Sequence, residues 1–85
     1  MDYKSLSMPA PREIERTIVL VLLSEQPVRA RSLRELRREL RHLAPLEVAA
    51  AIARLGVEGV LERRGEEVWP SRATRRLDEL GLIAV

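Results

Sequence analysis

Apolar residues recur at helical spacing over four stretches of the chain, and a short strand-like stretch lies between the third and the fourth. The first helix is predicted from about Pro11 to Glu25, with Ile14, Ile18, Val21 and Leu22 along one face. Pro11 suits the opening turn, where a missing N–H leaves no helical partner unsatisfied. Gln26-Pro27 stops the helix, because the residue before proline disfavours helical torsions. Val19, Leu20 and Leu23 widen the apolar surface well beyond one face. Such a helix needs cover on a second side. Either a C-terminal helix of the same chain or a second copy of the chain can supply it. Val28–Ala30 reads as a short extended piece.

Ser32 and Glu35 form an S-x-x-E capping box, which starts the second helix. Leu33, Leu36, Leu40 and Leu43 follow at three- and four-residue spacing and are expected to face the core, with Arg34, Arg37, Arg38 and Arg41 on the remaining surface. Arg31 and Glu35 can add a pair across one helical turn. After a break around Leu43–Pro45, a third helix buries Val48, Ile52 and Leu55, with Ala51 beside them, and ends near Gly59 as a left-handed cap. Residues 60–64 and 67–69 read as two strands around a Gly65-Glu66 turn of the type that places glycine first, and Pro70 ends the second. Ser71 caps a fourth helix carrying Ala73, Leu77 and Leu80 on one face, and Gly81 with Leu82 suits a glycine C-cap. The last residues, Leu82, Ile83 and Val85, are apolar and are expected to pack on the first helix or on a partner.

A chain of 85 residues holds one hydrophobic core, so the expected organisation is a loose leader over residues 1–9 and one domain over 10–85. Met8 is a possible alternative start. Composition is 46% hydrophobic and 33% charged, as in globular domains. The absence of cysteine excludes disulfides, thiolate metal sites and cysteine nucleophiles. No apolar run approaches the length of a membrane span, and the first residues lack the pattern of a signal peptide, so a cytoplasmic, intracellular protein is expected. His42, the only histidine, has no cysteine or nearby aspartate to work with; Glu62, Glu66 and Glu67 read as solvated charges. Neither a catalytic site, a metal site nor a cofactor is implied. Net charge is only +2, yet residues 29–41 hold six arginines against Glu35 and Glu39, while residues 45–59 hold Glu47 and Glu58 against Arg54.

SLRELRREL, then PLEVAAAIARLGVEGVLERR, then GEEVWPS, in that order over roughly Ile14 to Leu80, resemble a winged helix-turn-helix domain. The resemblance implies an α+β, mostly α fold: a three-helix core, a two-stranded wing and a C-terminal fourth helix. It also implies duplex DNA as partner, with the third helix in the major groove and the second across the phosphate backbone. Carried over by position, Arg29, Arg31, Ser32, Arg34, Arg37, Arg38, Arg41, Arg63 and Arg64 would meet phosphate, and Glu47, Ala49, Ala50, Ala53 and Arg54 would face the groove. Three of those five groove positions are alanine, which offers a base edge no hydrogen bond. With Val57 near that alanine-rich face, a protein-interaction or assembly module, docking through the third helix or through Trp69, is therefore the rival expectation. Trp69 itself has three readings: packing at the base of the wing, a partner hot spot, or a base-stacking surface. Homodimerisation is expected through Val19, Leu20, Leu23, Leu77, Leu80, Leu82 and Ile83, as for a transcriptional regulator.

Overall fold

The computed structural model describes residues 10–83. The expected leader at 1–9 and the end of the apolar tail lie outside them. Four helices and three short strands follow in the order α1 (Pro11–Leu23), β1 (Arg31–Ser32), α2 (Leu33–Glu39), α3 (Pro45–Val57), β2 (Leu61–Arg64), β3 (Glu67–Pro70) and α4 (Arg72–Glu79). The fold is α+β and mostly helical, with one antiparallel sheet in the order β1-β3-β2. Among the described residues no helix is long and apolar enough to cross a membrane.

Local chemistry sets most of the boundaries. Pro11 opens α1, and the Glu13 carboxylate accepts from the Ala10 N–H at 3.1 Å. The helix ends at Leu23, two residues before the expected Glu25, where Ser24 folds its hydroxyl back onto the Val21 carbonyl. The capping box is realised: Ser32 Oγ accepts from the Glu35 N–H and the Glu35 carboxylate accepts from the Ser32 N–H, both at 3.0 Å. β1 sits at Arg31–Ser32 rather than at Val28–Ala30, because Arg31 and Ser32 are the residues that pair with Val68 and Glu67 of β3. The Leu33 N–H then donates to the Glu66 carbonyl at 2.8 Å, tying the start of α2 to the hairpin turn.

At the end of α3 the Val60 N–H reaches the Leu55 carbonyl and the Gly59 N–H the Gly56 carbonyl; Leu82 and Gly81 repeat the pattern on Leu77 and Asp78 after α4. Both are Schellman closures, which need a left-handed residue between helix and exit. Glycine supplies it, with φ of 81° at Gly59 and 75° at Gly81.

The core joins Ile14, Ile18 and Leu22 of α1 to Leu33, Leu36, Leu40 and Leu43, to Val48, Ala51, Ile52 and Leu55 of α3, and to Leu61 and Val68 of the hairpin. All four leucines assigned to the inner side of the second helix are buried. The fourth helix differs from expectation. Its buried residue is Thr74, while Ala73, Leu77 and Leu80 are exposed. The reason is polar: Thr74 Oγ1 donates to the Val60 carbonyl at 2.8 Å, and the Ser71 N–H donates to that same oxygen at 3.0 Å. Those two bonds fix the rotation of the helix, leaving Ala73 and Leu80 exposed and Leu77 at the edge of a groove beside α1.

Candidate nucleic-acid interface

The exposed face of α2 carries Arg34, Arg37 and Arg38, with Arg41 in the turn that follows. None of the four has a carboxylate within ion-pair distance among the described residues. Their sequence neighbours Glu35 and Glu39 look the other way. Glu35 takes the Arg29 guanidinium at 3.1 Å and lies 3.8 Å from Arg31, while Glu39 pairs with Arg31. The helix thus sorts its charge: acids toward β1, cations alone on the outer face.

That sorting removes three expected phosphate contacts. Arg31 is 4% exposed and enclosed by Glu25 (3.7 Å), Glu35 and Glu39. Arg29 spends its donors on Glu25 at 2.6 Å, on Glu35 and on the Ala30 carbonyl. Ser32 is committed to the capping box. The N-terminus of α2 is already occupied by Glu35, whose carboxyl is lowered to about 2, first by the Ser32 N–H and next by Arg29. Arg29 is in turn held above its ordinary value by bonds to Glu35 and Glu25. These residues form a surface ion network around the buried Arg31, and it already fills the start of α2 with carboxylates.

Arg63 and Arg64 stand on the hairpin. Arg63 donates to the Gly65 carbonyl at 2.9 Å and lies 3.8 Å from Glu66. It also meets Arg37 across a small notch floored by Leu33, Val48, Ala49 and Ile52. One cation from α2 and one from β2 therefore converge beside the first half of α3. Arg64 is exposed and has no ion-pair partner among the described residues.

On α3 the expected groove-facing set divides. Glu47, Ala50 and Ala53 are exposed, and Ala49 is half-buried in the notch. Arg54 points elsewhere: its Nε donates to Glu15 of α1 at 2.6 Å, and one terminal nitrogen is buried without a partner. It is a link between helices, not a reader of bases. Val57, expected near this face, and Leu46, which was not, complete it. Leu46 is 85% and Val57 89% exposed. With Ala50 and Ala53 they form an apolar stripe at spacings of four, three and four, so one side of the helix is continuous. The signal was present in the sequence as an apolar residue at the two ends of an alanine-rich face.

The residues expected at a dimer interface also divide. Leu23 is buried in the chain's own core, which corrects its assignment, while Val19, also buried, lines an apolar groove between α1 and α4. Leu20, Leu77 and Ile83 line the same groove, together with Leu55, Val60 and Thr74, and Arg12, Glu15 and Arg16 at its edge. Leu80 and Leu82 are exposed at the end of α4. Trp69 is half-buried in β3, on the outer side of the hairpin. His42 is exposed, and no group of metal-ligating side chains occurs among the described residues. Comparison of the chain with protein-family models, with curated proteins and with solved structures finds no match.

Proposed function

We propose that this chain is a winged helix-turn-helix protein that binds duplex DNA, acting as a homodimeric regulator whose affinity comes from arginine–phosphate contacts. The observation that carries the reading is the outer face of α2: four exposed arginines with no carboxylate partner among the described residues, and Arg63 facing Arg37 across the notch beside α3. The element order and the β1-β3-β2 sheet support the winged-helix part of it. The phosphate set narrows to Arg34, Arg37, Arg38, Arg41, Arg63 and Arg64. With Arg54 turned inward and Ala50 and Ala53 outermost on α3, base discrimination is weak and binding is chiefly backbone-directed.

Mobility shifts against random duplex over a range of salt test this. About six phosphate contacts per protomer give a log–log slope of roughly −5.4 for each protomer bound. The Arg37→Ala/Arg38→Ala pair lowers affinity for every sequence alike and flattens the slope by roughly 2. Absence of any shifted complex at low salt rejects the reading.

One observation favours a second reading, a winged helix that docks a protein partner. It is the stripe of Leu46, Ala50, Ala53 and Val57, whose two large members are almost fully exposed. Small central residues allow an apolar helix to approach closely. Ala50→Arg separates the readings. It preserves or strengthens duplex binding if α3 lies in a groove, and abolishes a co-purifying complex if the stripe is the docking face.

A further inference from the structure

Trp69 is the only tryptophan, and the hairpin register turns it away from the core. Opposed residues in an antiparallel pair share a face. Leu61 and Val68 are buried, so the pairs Glu62–Trp69 and Arg64–Glu67 lie on the outer face. There Trp69 lines a groove of about 390 Å³ with Val28, Arg29, Ala30, Arg64, Glu67 and Arg75. Sites for small organic ligands run from roughly 300 to 1,000 Å³, so the space suffices.

Three elements bring arginines to this one aromatic residue: the approach to β1, strand β2 and helix α4. They are not equivalent. Arg29 is satisfied by Glu25 and Glu35, whereas Arg64 and Arg75 have no carboxylate within ion-pair distance among the described residues. Glu67 is the only acid in the lining. The groove therefore offers an aromatic surface next to two uncommitted guanidinium forks. An aliphatic ligand would leave the forks unpaired, and an inorganic anion would leave the ring unused. A flat heteroaromatic ring carrying phosphate uses both, through stacking and through paired N–H···O bonds to phosphate oxygens.

We propose that this groove binds a nucleotide, its base against Trp69 and its phosphate held by Arg64 and Arg75. A free mononucleotide and the unpaired end of a nucleic-acid strand present the same chemistry. None of the α2 arginines lines the groove, and Arg64 is the one residue it shares with the duplex-binding set, so substitutions on α2 separate the two activities.

Trp69 reports its own occupancy, because no second tryptophan contributes emission. Titrating the full chain with AMP is expected to give a saturable change in fluorescence, with adenosine or inorganic phosphate alone at least about tenfold weaker. The Arg64→Ala/Arg75→Ala pair raises the half-saturating AMP concentration about tenfold or more with the far-UV spectrum unchanged. Arg37→Ala/Arg38→Ala leaves it where it was, even though duplex binding falls. Trp69→Leu, followed by equilibrium dialysis with labelled AMP, loses retention. A 5′-phosphorylated hexadeoxyadenylate binding about tenfold tighter than AMP identifies a strand end as the source; equal or weaker binding identifies the free nucleotide. The proposal is overturned if neither fluorescence nor dialysis detects AMP up to about 5 mM, several times a Kd of order 1 mM. It is equally overturned if the two arginine substitutions leave AMP binding intact.

Discussion

An arginine's position in the sequence says that a cation is present, but not which carboxylate it meets. Arg31 illustrates the difference. It reads as one of six cations in a basic segment, yet it is buried among Glu25, Glu35 and Glu39. Only the Glu35 pair was legible, because it spans one helical turn. Arg54 is held by Glu15, thirty-nine positions away in the chain, and no local pattern could signal that. Replacing Arg31 by alanine leaves three carboxylates facing one another. The expected loss is roughly 2 kcal/mol in denaturant unfolding, less than the 3–5 for a fully enclosed pair because the acids keep part of their water. Glu35 gives the pH signature. Its carboxyl lies at about 2 in the folded chain, below the unfolded value near 4.3. The stabilisation it provides is complete above the unfolded value and is lost as pH falls toward 2. Glu35→Gln keeps a capping-box side chain but removes that titration. Thermal melts from pH 7 to pH 2 should therefore fall less steeply in the variant than in the parent.

Among the elements, those with punctuation at both ends were the most legible. Proline at the first turn and glycine at the exit framed α3, and the φ of 59° at Gly65 supplies the turn that its glycine-first sequence required. β1 was misplaced because a two-residue strand has no periodicity; only its partner β3 defines it. The orientation of α4 was missed for a different reason. Ala73, Leu77 and Leu80 make the better apolar stripe, but the helix is turned by the hydroxyl of Thr74, whose acceptor lies fourteen residues earlier. Thr74→Val preserves shape and removes that donor. A loss of about 1–2 kcal/mol is expected, with accelerated amide exchange concentrated in α4 rather than in α1 or α3. Uniform exchange across all four helices would show that the bond does not hold α4 in particular.

Over the whole molecule the chemistry is sorted by side. Arginines with no ion-pair partner among the described residues occupy the outer face of α2, an apolar stripe runs along α3, and an apolar groove separates α1 from α4. Net charge near zero conceals this sorting, which is why composition alone said little about partners. The groove containing Leu20, Leu77 and Ile83 is the remaining candidate for self-association. A small chain gains proportionately from burying such a surface. Sedimentation at micromolar concentration should give a dimer that Leu77→Glu converts to monomer with its far-UV spectrum retained. A parent chain that sediments only as monomer removes the dimer from the proposed function. One carbonyl has a wider bearing. The Val60 oxygen receives bonds from both Ser71 and Thr74, which closes residues 61–70 into a loop at that point. The far end is pinned as well: β3 pairs with β1, and the Leu33 N–H holds the Glu66 carbonyl at the turn. Adding two residues to each strand would carry the turn about 6.6 Å past α2 and forfeit that bond. The length of the hairpin is thus set by the helical body it spans.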